Sequence, residues 1–347
     1  VNAATLRFFS LLVLMFAHGA LGDARLTLLT NFSDFTRVET NAWVSPDYAA
    51  AKPFEELVVS WNVPTNVACQ IDTQVRCDGR WGRWWTFARW FSEPNTGART
   101  SVSDQRDDTG RMDTDTLKLK SEADAIRIRV RFDDAHLTPR SIRLLGLSLW
   151  SESVEVPSVA PKTTRVIDVP AKSQAEYPEG INQWCSPTCT AMLLAHWGRV
   201  LRRSDLDFEV PVVARGVFDP GWAGTGNWPF NTAFAGGRPG IRAAVARLNG
   251  VQDIAALIEA GMPVTVSVSY SMLKGASRRR DDDGHLVVVC GFKPGVVVIN
   301  DPGVRLDRVR REFPLDDFVR SWGASRHTAY LVWPENMSLP PSPAGTW

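Results

Sequence analysis

From Asp23 to Trp150 the apolar residues fall into short runs separated by turn residues: Glu56 to Trp61, Ala68 to Cys77, Trp84 to Trp90, Thr116 to Leu119, Ala125 to Phe132 and Ser141 to Trp150. Ile126-Arg127-Ile128-Arg129-Val130-Arg131 alternates with the period of two that gives a strand one buried and one wet face. With no comparably clear long helix among them, these runs predict an all-β unit, a sandwich, over residues 23–150. The pattern changes after Val166. Ser186-Pro187 is a helix start signal, with Ser186 expected at the N-cap and Pro187 at the first helical position. Gly224 to Ala233 reads as a long irregular loop that could wall a cleft. Ile241 to Leu248 and Asp253 to Glu259 read as short helices; Gly261 closes the second, and Pro263 stops it running into a strand over Val264 to Tyr270. Leu286 to Phe292 and Val296 to Ile299 are β-rich runs joined by Lys293-Pro294-Gly295, which predicts a hairpin.

A chain of 347 residues with 44% hydrophobic content can bury two cores. Ser, Glu, Thr and the prolines Pro157 and Pro161 make 151–165 the expected linker, so the second unit spans 166–335 and the proline-rich 336–347 is an extended tail. Residues 1–22 resemble a signal peptide: Arg7, an apolar stretch from Phe8 to Ala17, and Ala20-Leu21-Gly22 as a small-residue cleavage pattern that would expose Asp23. That apolar stretch is shorter than the ~20 residues of a spanning helix, and no later segment could span, so a secreted or periplasmic protein without a membrane span after cleavage is expected. With 39 basic and 38 acidic residues the net charge is +1, which gives no argument for nucleic acid. No phosphate-binding glycine loop occurs, and Cys185-x-x-x-Cys189 lacks the companion ligands of a zinc site, so neither cofactor nor metal is implied.

Five cysteines leave at least one thiol free if disulfides are intramolecular. Cys69 and Cys77 lie eight steps apart on one expected strand, at about 3.3 Å per step, too far to bridge. Cys290 is expected to pack within its strand, and Arg278 to Asp283 to be a solvated loop. The aromatic stretch Arg80-Trp81-Gly82-Arg83-Trp84-Trp85 to Trp90-Phe91 either fills the first core and its contact with the second unit, or presents tryptophans on one face to stack on a glycan.

Candidate chemistry centres on Gln183-Trp184-Cys185-Ser186-Pro187. A cysteine at a helix start sits where free N–H groups and the positive dipole end favour the thiolate. Of five histidines, His18 lies in the leader and His136 in the β unit, while His196, eleven residues along the same helix, is roughly 16 Å from Cys185. His327 reads as a residue of a late strand, which leaves His285 at the mouth of the hairpin. Folding about Lys293-Pro294-Gly295 sets His285 opposite Asp301 to Gly303, where directly paired residues have Cβ atoms about 5 Å apart. Cysteine, histidine and carboxylate in this relation are the nucleophile, base and orienter of covalent catalysis.

These segments resemble the papain-like cysteine peptidases of family thirty-nine, the group named for removing double-glycine leaders from bacteriocins, and more closely its secreted relatives. The resemblance runs from Val166 to Trp333 and includes Ser173-Gln174, Trp184-Cys185-Ser186-Pro187-Thr188, Gly224-Thr225-Gly226-Asn227-Trp228-Pro229, Ala260-Gly261-Met262-Pro263-Val264, Gly284-His285 and Asn300-Asp301-Pro302. It implies an α+β papain-like domain, with a nucleophile helix on an antiparallel sheet. It also implies Cys185 as nucleophile, His285 as base and Asp301 as its orienter. An upstream glutamine completes the oxyanion hole in that family; Gln174 occupies the Ser-Gln position and is preferred over Gln183. Cys189 departs from the pattern and is read as a small buried hydrophobe. The expected activity is an exported cysteine peptidase acting on a peptide or protein, with a cell-wall amidase or acyltransferase using the same residues as the alternative. A surface-binding protein with a peptidase-like fold is the non-enzymatic alternative.

Overall fold

A computed structural model of the chain describes residues 23–91, 99–152, 159–277 and 284–347. The leader with His18, the run Arg278 to Asp283 and the middle of the expected linker lie outside the described residues.

The first half is all β. Strands β1 (Asp23–Leu29), β2 (Thr36–Glu39), β3 (Ala42–Val44), β4 (Tyr48–Asn62), β5 (Cys69–Cys77), β6 (Arg80–Trp81), β7 (Trp85–Trp90), β8 (Gly110–Asp113), β9 (Thr116–Phe132) and β10 (Leu144–Ser151) form one ten-stranded antiparallel sheet. The expected runs Thr116 to Leu119 and Ala125 to Phe132 are the two ends of β9, a single long strand. Its first part pairs with β8 and with Glu56 and Leu57 of β4, and its second part with β5 and β3. Register breaks between Ala49 and Glu56 let β4 follow it across both halves of the sheet, and such breaks bend and twist a strand. The alternation seen in the sequence sorts as expected: Ile126, Ile128 and Val130 are buried, while Arg127, Arg129 and Arg131 face outward.

The aromatic stretch divides between the two faces. Trp85 and Trp90 are buried, and Trp90 meets Trp61 edge-on at 5.9 Å between ring centroids and Phe230 of the second half at 5.2 Å. Trp81 and Trp84 lie under the outward arginines, with the Arg127 guanidinium 4.0 Å from the Trp81 centroid and Arg129 4.3 Å from that of Trp84. Those ring faces are occupied by cations of the chain itself.

The second half is α+β. Strands β11 (Ile241–Arg247), β12 (Val264–Ser269), β13 (Gly284–Lys293), β14 (Val296–Asn300), β15 (Arg310–Pro314) and β16 (Thr328–Pro334) form an antiparallel sheet in the order β11-β16-β12-β13-β14-β15. Around it are α1 (Cys185–Leu201), α2 (Val210–Val217), α3 (Trp228–Gly236), α4 (Val251–Glu259), α5 (Tyr270–Leu273) and α6 (Leu315–Gly323). α1 packs on β13, and Met192 meets the Asn300 amide of β14 through its sulfur at 3.6 Å. Among the described residues no helix is long and apolar enough to cross a membrane.

Three expectations are corrected here. Ile241 to Leu248 is a strand rather than a helix: its alanines favour a helix locally, and burial between β16 and the first domain overrides them. Gly224 to Ala233 is not one long loop, because α3 begins at Trp228 with the Asn227 side chain accepting from the Phe230 N–H and Pro229 in its first turn. Nor does α1 wait for Ser186: it opens at Cys185, and the Ser186 hydroxyl is hydrogen-bonded to the Tyr330 hydroxyl at 2.8 Å instead of capping the helix. The tail is irregular, as its prolines require, but tied down. Thr346 is buried, its carbonyl accepts from Leu26 of β1, and its hydroxyl meets Asp253 of α4 at 2.5 Å.

Candidate active site

The hairpin of β13 and β14 turns at Lys293-Pro294-Gly295, where Gly295 has the left-handed φ of +71°. Val288 pairs with Asn300 and Val289 with Ile299, so the register carried to the open end sets His285 against residue 303. Asp301 reaches back from the loop after β14, and its Oδ1 lies 2.9 Å from His285 Nε2. The same oxygen accepts from the Gly303 N–H at 2.9 Å. A Cβ on Gly303 would lie only 3.1 Å from His285 Cε1 and 3.2 Å from Asp301 Oδ1, so the loop passes this pair at glycine distance.

With Nε2 engaged by Asp301, the other ring nitrogen of His285 is the one left for Cys185, and the thiol and the imidazole act on each other's charge. Burial pushes the Cys185 thiol up, but the His285 hydrogen bond and charge, with the Leu286 and Ser186 N–H groups, bring it below its ordinary value. His285 is pushed down by burial and then raised to about 9 by its bonds to Asp301 and Cys185. Burial raises Asp301, yet the bonds from His285, the Tyr270 hydroxyl and Gly303 hold it well below the usual carboxylate range. These directions favour a thiolate beside an imidazolium, backed by an ionised carboxylate. Such a set can attack an acyl carbon and protonate a leaving group.

Gln174 is buried in a single 3₁₀ turn, Gln174–Glu176, whose first N–H donates to the Pro302 carbonyl at 3.0 Å, directly after Asp301. One proton of its side-chain amide goes to the Ile181 carbonyl at 2.8 Å in the loop that leads to Cys185, and the amide nitrogen carries a second. Gln183 is exposed, and its carbonyl accepts from the Thr225 hydroxyl at 2.7 Å, which ties the segment before α3 to the approach to α1.

The remaining histidines and thiols are accounted for elsewhere. His196 is buried with Nε2 3.2 Å from the Gly261 carbonyl, and His327 is buried against Trp322, where burial lowers it to about 4. Cys69 and Cys77 are both free and mark the two ends of β5. Cys189 is fully buried, and burial together with the nearby Cys185 and Asp301 charges pushes it well above its ordinary value. Cys290 is pushed up to about 12 by burial. No group of three or more potential metal ligands occurs among the described residues.

Two partners of Asp301 were not foreseen. Its Oδ2 accepts from the Tyr270 hydroxyl at 2.7 Å and from Arg311 Nη1 at 2.7 Å. Their approach is set by strand order. Val268 pairs with His285 and Ser269 with Gly284, so Tyr270 follows β12 at the level of His285. Arg311 on β15 pairs with Ile299, two residues before Asp301. Neither residue stands in a local motif, and only the pairing of four neighbouring strands brings them together.

Residues 24–148 match the family model of the peptidase C39 N-terminal domain, and residues 166–330 that of the peptidase C39 like family. No curated protein matches the chain. Among solved structures, it is similar to a putative C39-like peptidase from Bacillus anthracis, at 16% identity over 49% of this chain and 98% of that one, with a TM-score of 0.39. It is also similar to a double glycine motif protease from an AMS/PCAT transporter in complex with the leader peptide, at 18% identity over 51% of this chain and 99% of that one, with a TM-score of 0.34. With both family models in chain order and covering its two halves, the chain belongs to the peptidase C39-like family and carries a C39 N-terminal domain ahead of the peptidase-like one.

Proposed function

We propose that the chain is a cysteine peptidase that hydrolyses peptide bonds through an acyl-enzyme on Cys185. The observation that carries this reading is the His285–buried Asp301 pair, 2.9 Å apart, acting on a thiol at the first position of α1 that His285 draws below its ordinary value. The Cys185 thiolate attacks the scissile carbonyl carbon, and negative charge gathers on the oxygen. Donors for that oxygen are the Cys185 N–H, in the first turn where N–H groups lack intrahelical acceptors, and the second amide proton of Gln174. His285 gives its proton to the leaving amine as the C–N bond breaks. Neutral His285 then takes a proton from water, which attacks the thioester and releases the acid and the thiolate. Asp301 stays ionised throughout and fixes the ring.

Cys185→Ala and His285→Ala are each expected to abolish both peptide hydrolysis and reaction with a peptidyl acylating probe. Turnover retained by Cys185→Ala would sink the assignment. Product analysis separates the chemistries: a new free amino terminus marks a peptidase, whereas transfer of the acyl group to an added amine marks an acyltransferase. The leader-like segment before β1 supports an exported site of action, and sequencing the mature chain from Asp23 is the check.

A further inference from the structure

The carboxylate that serves His285 is itself held from behind. Asp301 is fully buried and accepts four hydrogen bonds, two on each oxygen. Oδ1 is shared by His285 and the Gly303 N–H; Oδ2 is shared by Tyr270 and Arg311, whose guanidinium also donates to the Tyr270 hydroxyl at 3.2 Å. Tyr270 does a second thing: its ring lies against the His285 imidazole, 4.4 Å between centroids at 45°, while the Lys274 ammonium covers the ring at 4.1 Å. One side chain therefore touches both members of the pair, the carboxylate through its hydroxyl and the imidazole through its ring.

We propose that Tyr270, backed by Arg311, is a positioning residue that locks the Asp301 carboxylate and the His285 ring into the one relation in which the imidazolium faces Cys185; this rests on the peptidase reading of the same site. A carboxylate free to rotate would offer its oxygens to either Arg311 or His285. With Oδ2 claimed by two donors, Oδ1 remains for the imidazole. The Tyr270 hydroxyl stays a donor throughout the working range, since burial and the neighbouring Asp301 push it up to about 12.

The alternative role, tuning of the Asp301 charge, predicts the opposite sign. Removing a donor from a carboxylate makes it a stronger acceptor, which would hold His285 more firmly protonated and widen the pH window of the thiolate–imidazolium pair. Loss of position weakens the Asp301 to His285 bond and narrows that window. The test is alkylation of the full chain by iodoacetamide and by iodoacetate across pH, read at Cys185 by mass spectrometry. The neutral reagent follows thiolate formation, and the anionic one also reports the neighbouring imidazolium. Tyr270→Phe keeps the ring and removes the hydroxyl; about tenfold less reaction at pH 6 is expected, with the alkaline fall of iodoacetate reactivity moved to lower pH. Arg311→Lys keeps the charge and loses the planar fork on a partly exposed side chain, so it remains informative should Tyr270→Phe fail to fold; the same direction is expected at smaller size. An unchanged or wider window in the folded variants overturns the proposal. A wild-type chain whose Cys185 alkylates like an ordinary thiol overturns the peptidase reading instead, so the two failures are distinct.

Discussion

Cys185 and Cys189 lie one helical turn apart on α1, yet their surroundings push the two thiols in opposite directions. Cys185 has the imidazolium and two N–H groups; Cys189 has burial and the charges of Cys185 and Asp301. Limited alkylation at pH 7 is therefore expected to label Cys185 and spare Cys189, and Cys185→Ala should leave Cys189 inert. Labelling of Cys189 in that variant at the wild-type rate of Cys185 would assign the reactive thiol wrongly. The pH dependence follows from the same groups. A neutral His285 cannot protonate the leaving amine, so kcat/KM should fall as pH rises through about 9. Because His285 is raised above its unfolded value, its contribution to stability is full below about 6.5 and is lost on the way to about 9. A kcat/KM that stays flat well beyond pH 9 would refute the pairing. His285 and Asp301 were legible in the sequence because one tight hairpin fixes their relation locally, and Cys185 because a helix start is a local signal; that α1 packs on β13 is a tertiary fact. Tyr270 and Arg311 were not, since their contacts depend on the flanking strands β12 and β15.

At the scale of elements, the readings that held are those with local chemistry to enforce them. Lys293-Pro294-Gly295 dictates a turn, and Gly261, with φ of +85°, ends the α4 region before β12. The reading of β11 failed because Ile-Arg-Ala-Ala-Val-Ala-Arg has no period that decides, and its state is settled by what covers it. α3 is different: Asn227 followed by Pro229 is a recognisable cap and first turn, although the glycines just before it carry a loop signal. Asn227 also donates to Asp219 at 2.9 Å, so it ties the start of α3 to the loop that follows α2. Asn227→Ala is expected to cost about 0.5–2 kcal/mol in urea unfolding, the range for losing a helix cap. The kinetic expectation is a raised KM more than a lowered kcat, because the loop and not the catalytic pair is loosened. A loss in kcat alone would place the loop's influence on the chemistry itself.

At the scale of the whole molecule, β11 is an edge strand of the second sheet, and the first domain completes it. The N–H groups of Ala243, Val245 and Arg247 donate to Asn62 Oδ1 at 2.9 Å, Ser60 Oγ at 2.7 Å and Ser148 Oγ at 2.9 Å. The Asn62 amide returns a bond to the Ala243 carbonyl at 2.8 Å. Small side chains on β4 and β10 thus replace the missing neighbour strand, and a Cβ on Gly146 would already come within 3.2 Å of Ala244. An edge left open would be a pairing hazard; here it is covered by side-chain acceptors. Around this seam Arg247 forms a buried ion pair with Glu56, and Arg326 reaches the same carboxylate at 3.1 Å. Further along, Asp115 of the first domain accepts from the Trp228 N–H at 2.8 Å, at the start of α3, and Asp219 in the loop between α2 and α3 accepts from the Ser101 N–H at 2.9 Å. A junction with this many buried polar commitments cannot open without orphaning them, so the two domains should unfold together. Cys69 in the first domain and Cys290 in the second are both buried and free, which makes each thiol a reporter for its own half. Pulsed thiol labelling across a urea titration is expected to expose both at one midpoint. Glu56→Gln leaves Arg247 buried without its partner charge, and about 3–5 kcal/mol of stability should go with it. Both thiols should then move to the same lower midpoint. If Cys69 became accessible while Cys290 kept its wild-type midpoint, the first domain would be an attachment rather than the missing flank of the second sheet.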